Sequence, residues 1–329
     1  MFHAPELNSC TLCPRACGAA RNKGTIGFCG AGESLRLARA ELHFWEEPPL
    51  SGASGSGCIF FSGCPLRCCY CQNASIALAQ SGIEVSTDRL SAIFHELEQK
   101  GALNINCVTG TPYIPHVVYA LNCAREKGFS LPVVWNTSSY ETIDSLDMLA
   151  GSVDVYLADF KYAQEELARN YSRAAEYPRI ALRAIKRMAA QVGEVTYDTY
   201  HQQTRMTKGV IVRHLLLPGH LDDSCKAVRL LWDTFGNSIA YSFMNQYTSV
   251  LKSSAEHHNA RACAVLQKYP ELAQRVPAAD YERLLNFADD LGIEDYFWQE
   301  GDPVSESFIP AFDGTGVLSA EQARDSERA

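Results

Sequence analysis

The sequence predicts an α/β fold, a partial barrel of the (β/α)6 type with an extension at each end. Three observations predict it. Six short apolar runs alternate with segments of helical period, which implies parallel pairing through right-handed crossovers. A chain of 329 residues, 47% hydrophobic and 20% charged, is globular and long enough to bury one large core. A cluster of cysteines follows directly on the first apolar run, and the chemistry of such a barrel sits at the C-terminal ends of its strands. A doubly wound sheet has the same periodicity and stays open as the alternative.

Residues 1–57 are rich in Cys, Gly and Pro and read as loops built around a site, a Cys-rich metal-binding extension. The barrel core, 58–250, begins with the strand Cys58–Gly63. Ser86–Lys100 is then a helix with Leu90, Ile93, Phe94 and Leu97 on one face and Gly101 as its stop. The alternation continues with a strand at Ile105–Val108, a helix over about Pro115–Lys127, a strand at Pro132–Trp135, a helix around Thr142–Leu149 and a strand at Val153–Leu157. Helical sequence at Ala181–Val192 and Ala227–Thr234 accompanies the last two strands, Val210–Leu217 and Ile239–Phe243. In the C-terminal extension, 251–329, Pro277–Leu291 is an amphipathic helix and the Phe-rich stretch Tyr296–Phe312 returns to the barrel. The polar residues after Leu318 are expected to fray. The loop SGASGSG (Gly52, Gly55, Gly57) precedes a strand instead of following one, so it fails the dinucleotide-binding test and reads as a flexible covering loop.

No stretch approaches the ~20 apolar residues of a spanning helix. The start MFHAPELNSC lacks both the basic and the apolar part of a secretory signal, so the cytoplasm is the expected compartment. Thirteen cysteines in that reducing environment point to metal rather than to disulfides. A net charge of −9 provides no broad positive field, which disfavours nucleic acid as a partner.

FFSGCPLRCCYCQN sets Cys64, Cys68 and Cys71 in a C-x3-C-x2-C arrangement. Three thiolates so spaced can ring three corners of a cubane and leave the fourth iron open, whereas complete [4Fe-4S] sites mostly use four cysteines. A structural zinc loop is the competing reading. Cys69 should leave the chain in another direction and counts as a spare thiol. A second set, Cys10, Cys13, Cys17 and Cys29, is C-x2-C-x3-C-x11-C in a segment with little else to fold around. Zinc and an auxiliary iron–sulfur cluster both accept four sulfurs, and the spacing does not choose between them. Cys58, Cys107, Cys123, Cys225 and Cys263 read as small buried hydrophobes.

With Tyr70 as the aromatic residue before the last cysteine, the trio resembles the radical SAM superfamily. EEPPLSG (Glu46–Gly52), WNTSSYE (Trp135–Glu141), YLADFKY (Tyr156–Tyr162), IVRHLLLPG (Ile211–Gly219) and MNQY (Met244–Tyr247) extend the resemblance toward proteins similar to pyruvate formate-lyase activating enzyme. The resemblance implies a [4Fe-4S] cluster whose open iron chelates S-adenosyl-L-methionine (SAM). An electron then breaks the sulfonium bond, leaving methionine and a 5′-deoxyadenosyl radical that abstracts hydrogen. It also implies an electron donor such as flavodoxin or ferredoxin. Carried over by motif, Asn136 and Thr137 lie near the methionyl carboxylate, Asp159 and Lys161 of the D-x-K element near the ribose and carboxylate, and Arg213 beside them. Thr109 and Gly110 fall at the second strand's end, which meets the SAM amino group. There the family's Gly-Gly-Glu-Pro is replaced by Thr109-Gly110-Thr111-Pro112, a hydroxyl for a carboxylate, so one charge-assisted contact is expected to be missing. His214, next to Arg213, should point to the opposite face.

Three readings of function follow. One is a radical SAM enzyme that makes a glycyl radical on a partner protein, the second a radical SAM enzyme acting on another peptide or a small metabolite. The third is a non-catalytic iron–sulfur or zinc protein for electron transfer or partner recognition. A pure electron carrier needs no open three-cysteine site on a barrel, which disfavours the third.

Overall fold

In the computed structural model, residue 2 and residues 4–299, 309–319 and 321–322 are described. The six predicted runs form β2 (Ser56–Phe61), β4 (Ile105–Val108), β5 (Val133–Thr137), β6 (Val155–Asp159), β8 (Gln203–Leu215) and β9 (Ala240–Met244), each parallel to the next. The remaining strands are β1 (Leu35–His43), β3 (Ile83–Val85), β7 (Thr196–Tyr200) and β10 (Tyr296–Phe297). The sheet order is β10-β9-β8-β6-β5-β4-β2-β1-β3, with β7 paired to β8 off this path. The parallel strands follow one another in chain order without the reversal of a doubly wound sheet, and the sheet is not closed, which makes a partial barrel and sets that alternative aside.

Both faces of the parallel strands are covered, hence their near-continuous apolar runs. Side chains alternate between them. On one face Val134, Val155, Leu157, Ile211 and Ala240 form an inner cluster floored by Leu50 and Met206. On the other, Trp135, Tyr156, Ala158, Val212 and Tyr241 join the larger core under the helices. The inner face continues upward from Val134 to Asn136, from Leu157 to Asp159 and from Ile211 to Arg213. Strand register fixes their height, with Val108 opposite Asn136 and Asp159 opposite Arg213.

The helices form where capping and periodicity coincide. Thr87–Gln99 starts at Ser86, whose side chain accepts from the Arg89 amide, and buries Leu90, Ile93, Phe94 and Leu97. Ile143–Leu149 starts likewise at Thr142, and Ala278–Leu291 lies one residue inside its predicted span.

Several expectations are corrected. Residues 1–57 are not all loop: β1 pairs antiparallel with both β2 and β3, and its mix of buried and partly exposed residues suits an antiparallel strand with one wet face. β8 begins seven residues earlier than predicted and forms a hairpin with β7, whose Thr- and Tyr-rich strand is mostly exposed and so carries little apolar signal. The helix at Tyr177–Val192 also starts earlier, and helices at Glu165–Ser172, Val250–Glu256 and Ala260–Lys268 were not foreseen. The SGASGSG loop precedes β2, at the end of the sheet away from the site, and is held by Gln203, which accepts from the Ala53 amide at 2.6 Å and donates to Ser54 at 2.8 Å. It does not cover the site. Of the scattered cysteines, Cys58 and Cys107 are buried, but Cys123 and Cys225 are half-buried and Cys263 is exposed.

β10 does return to the barrel, on β9. Farther on, Phe312 meets Phe60 edge-on at 5.4 Å, and backbone bonds join Gly314 to Ala38 and Thr315 to Ala40. Within the two C-terminal stretches read from the sequence, residues 300–308, 320 and 323–329 lie outside the described residues. Among the described residues no helix is long and apolar enough to cross a membrane.

Candidate active site

The cysteine loop leaves the end of β2 through Gly63, whose φ of +100° and 2.9 Å clearance from the Cys29 carbonyl at its Cβ position admit no side chain without strain. The Cys64 amide donates to that same Cys29 carbonyl at 3.2 Å, and the Cys69 amide to the carbonyl of Tyr171 at 2.8 Å. Arg67 bonds the carbonyl of Phe28. Arg15, from the N-terminal extension, reaches the carbonyls of Pro65 and Ser172 at 2.9 and 2.8 Å. The loop is thus tied to the barrel on one side and to the extension on the other.

Cys64, Cys68 and Cys71 line one cleft of about 230 Å³ at the C-terminal strand ends, together with Tyr70, Thr109, Asn136, Thr137, Asp159, Lys161 and Arg213. Of the residues predicted for the cofactor, Gly110 alone stays off the lining. A Cβ there would lie 2.5 Å from the Trp135 indole, so Gly110 serves as the point where the turn rests on that ring. Burial, then the neighbouring Cys68, pushes Cys64 up to about 11, and the same order of causes brings Cys71 to about 12. Cys64 and Cys71, thiols that resist ionisation on their own beside the Cys68 sulfur, suit a bound metal, which supplies the missing positive charge. The donor set therefore fits an iron–sulfur cluster. Among the described residues no group of three or more His, Cys, Asp or Glu side chains stands at metal-holding spacing, this trio and the N-terminal cysteines included.

Behind the loop, the fully buried Ser172 places its hydroxyl 3.0 Å from the Cys68 sulfur. Tyr162 lies 2.7 Å from Ser172 and 2.8 Å from the Tyr70 hydroxyl. Tyr70 itself is buried, with ring edges of Tyr162, Tyr171 and Tyr247 around it at 5.9 to 6.4 Å.

The charged residues do not stand free. Lys161 pairs with Asp159 at 2.6 Å. Burial opposes the lysine's charge, but Asp159, together with Tyr70 and the other groups around it, more than offsets this and holds the ammonium well above its ordinary range. Arg213 is clamped by two carboxylates that carry no role in the sequence reading: Glu47 takes it bidentately at 2.7 and 2.6 Å, and Glu46 bonds the same guanidinium. Burial works against this cation too, and the two glutamates more than offset it. Glu46 also accepts from Asn106 on β4 and lines the cleft.

The missing carboxylate of the Thr109-Gly110-Thr111 turn has a neighbour in Glu141. Buried behind the turn, it accepts from Thr111 at 2.7 Å and from Thr137. Thr137 also accepts from the Ser139 amide at 3.1 Å, so its hydroxyl is committed to the protein. Burial raises Glu141, with the two threonines and the Trp135 indole pulling it back in part. Asn136 lines the cleft while its carbonyl holds the Thr109 amide at 2.8 Å, supporting the left-handed Thr109, φ +61°. His214 faces away, as alternation requires, with Nδ1 on the Phe160 carbonyl at 2.7 Å. Glu46, Glu47, Glu141, Arg15 and Ser172 were missed as site residues. Three of them lie inside EEPPLSG and WNTSSYE, segments whose composition was legible while their partners on other strands were not.

The N-terminal quartet is also gathered. Cys13 lies within electrostatic reach of Cys29, Cys10 and Cys17, and burial, then these neighbours, drives it up to about 12. Two of the sulfurs flank Gly27, where a Cβ would be in ordinary contact with them, 3.4 Å from Cys29 and 3.8 Å from Cys17.

A partial (β/α) barrel with a three-thiol loop at its C-terminal strand ends has the arrangement of a cofactor-dependent enzyme. The chain belongs to the radical SAM superfamily, whose model matches residues 58–228. The family makes it an enzyme and implies a [4Fe-4S] cluster and SAM. It is 27% identical over 297 residues to an uncharacterized protein of Methanocaldococcus jannaschii, covering 88% of this chain and 76% of the relative. Among solved structures, the FeFe-hydrogenase maturase HydG from Carboxydothermus hydrogenoformans is similar with a TM-score of 0.40 at 14% identity over 73% of this chain. The chain spans 58% of that maturase's length. A probable 2-pyrone-4,6-dicarboxylic acid hydrolase from Acinetobacter baumannii has a TM-score of 0.27 at 10% identity, covering 88% of this chain and 90% of that one. Neither structural likeness bears on function.

Proposed function

We propose that this chain is a radical SAM enzyme of the activating type, which takes a hydrogen atom from a glycine of a partner polypeptide. The observation that carries the reading is the convergence of Cys64, Cys68 and Cys71 with Asn136, Asp159, Lys161 and Arg213 in one cleft. Cys64, Cys68 and Cys71 would hold the cluster, which when bound supplies the electron that cleaves SAM to methionine and a hydrogen-abstracting 5′-deoxyadenosyl radical.

The chain's own residues do the rest. Asp159 and Lys161 hold each other at a strand end where Asp159 can accept from ribose hydroxyls and Lys161 can meet a carboxylate. Two cations set against Asp159, Glu46 and Glu47 leave one net negative charge beside the cleft, the complement of the net positive charge of SAM. Glu46, on the lining, offers the ammonium group a carboxylate that the Thr109-Gly110-Thr111 turn lacks. Glu141 holds Thr111 and Thr137 from behind and fixes the shape of that turn. Tyr70, Leu66, Val108 and Met244 form the apolar walls that limit water around a radical.

The open sheet supports a polypeptide substrate, since a barrel that does not close has room at its mouth for an extended loop. All thirteen cysteines are free thiols, which suits a reducing compartment such as the cytoplasm, where flavodoxin or ferredoxin could supply electrons. The quartet Cys10, Cys13, Cys17 and Cys29 is read as a separate metal centre with no part in substrate chemistry. The test of the substrate is to incubate reconstituted, reduced protein with SAM and candidate glycyl radical enzymes from its own host. A persistent doublet EPR signal that needs SAM and Cys68 is expected. If no host protein acquires it while SAM is still cleaved, a small metabolite or another peptide takes the glycine's place.

A further inference from the structure

Arg21 is the most costly residue in the extension. It is completely buried, in a segment whose secondary structure from residue 4 to 34 amounts to two short 3-10 turns. Its Nε donates to the Gly32 carbonyl at 2.7 Å and one terminal nitrogen to the Pro112 carbonyl at 2.6 Å. The same nitrogen lies 3.8 Å from the Cys10 sulfur. The other terminal nitrogen has no partner, and the guanidinium sits 5.5 Å from the Tyr113 ring. Among the described residues no carboxylate lies at ion-pair distance from it. A guanidinium is charged at any relevant pH, and burying it without a counter-charge is strongly unfavourable. Its positive field is felt nearby: burial, then Arg21, depresses His116 to about 4. Neutral carbonyls solvate such a charge but do not balance it.

Among the described residues, the group in contact with Arg21 that can carry negative charge is the cysteine quartet, through Cys10. Cys10 is in contact with the guanidinium, and both Cys10 and Cys29 are themselves buried. We infer that Cys10, Cys13, Cys17 and Cys29 hold a metal centre as four thiolates with a net negative charge, and that Arg21 is its built-in counter-ion. Four thiolates on Zn²⁺ carry a charge of about −2, and so does an oxidised [4Fe-4S] cluster with four cysteines. The shared chemistry is the anionic tetrathiolate. A site for a cation held by carboxylates and water would have no use for a buried arginine.

The inference does not depend on the radical reading, and its test removes that site first. Full-length protein with Cys64, Cys68 and Cys71 changed to Ala is offered zinc in one arm and anaerobic iron and sulfide in the other, and its metal is counted. About one zinc or about four irons per chain are expected. Changing Cys10, Cys13, Cys17 and Cys29 to Ala as well should remove them. Arg21→Met should lose the metal to a chelator about tenfold faster or more, as other outer-shell partners do, while Arg21→Lys should retain it. If the quartet variant does not fold, thiol counting on the trio variant decides: metal should shield four thiols that a chelator then exposes. No retained metal in either arm, metal unaffected by loss of the quartet, or fewer than three shielded thiols would overturn the centre. Unchanged release from Arg21→Met would overturn the role of Arg21.

Discussion

Two cysteine loops meet in this molecule, and they differ in what holds them. The loop of Cys64, Cys68 and Cys71 hangs from a wholly buried parallel strand, and its Cys68 and Cys69 are bonded to the end of a helix. The loops of Cys10, Cys13, Cys17 and Cys29 have no strand behind them. They are cross-linked by turns such as Cys10 with Ala19 and Gly18, and by Arg21. A metal loop on a sheet is positioned by the sheet and can keep a coordination position open for chemistry. A metal loop without one is positioned by its metal, and its ligands are all used for folding. The contact between Cys29 and Cys64 makes the second loop a brace for the first.

The comparison breaks most visibly if the quartet proves dispensable. Changing its four cysteines to Ala should abolish hydrogen-exchange protection over residues 5–34 and lower, without eliminating, iron loading at the barrel trio, because the carbonyls of Cys29 and Phe28 and the side chain of Arg15 all bear on that loop. Unchanged protection would show that the extension folds without metal.

A smaller effect sharpens the other half. Ser172 donates to the Cys68 sulfur from the barrel side, and such bonds stabilise the reduced cluster. Ser172→Ala should move the cluster's reduction potential to a more negative value. A hydrogen bond worth about 1 kcal/mol corresponds to roughly 40 mV for one electron. EPR-monitored redox titration of the two proteins reads it, and equal potentials would remove Ser172 from the account.

The smallest effect concerns the clamp on Arg213. Burial acts to raise Glu47, yet Arg213 outweighs it and leaves this carboxyl below its ordinary 4.5. A depressed folded value means that the stabilisation is present above pH 4.5 and is lost as pH falls through that lower value. The Tm difference between wild type and Glu47→Gln should therefore be constant above about pH 5.5 and shrink in acid below 4.5. A gap that widens in acid would contradict the assignment.

The parts of this design that repeat along the chain were legible in the sequence. All six parallel strands announce themselves as apolar runs, and the cysteine spacings stand out without any structure. D-x-K at Asp159 and Lys161 places two charges at a strand end, and the D-x-K register with Arg213 follows from parallel pairing. What stayed hidden depends on contacts across sequence distance. Glu47 and Arg213 are partners 166 positions apart, Ser172 and Cys68 are 104 apart, and neither serine nor glutamate has a local pattern that names its partner. Arg21 stands in a Cys- and Gly-rich segment with no local pattern to mark it, and only its complete burial reveals the charge it must answer. Strand β7 was hidden for the opposite reason, since an exposed hairpin arm has no core to write itself into the sequence.

The central claim is that the barrel trio alone is the catalytic centre. Its most direct test is to measure 5′-deoxyadenosine released from SAM by anaerobically reconstituted, chemically reduced protein in three forms: wild type, Cys64, Cys68 and Cys71 to Ala, and Cys10, Cys13, Cys17 and Cys29 to Ala. The account predicts product from wild type, none from the trio variant, and from the quartet variant less product per chain but an undiminished amount per bound trio cluster. No product from cluster-loaded wild type, or undiminished product from the trio variant, would contradict it.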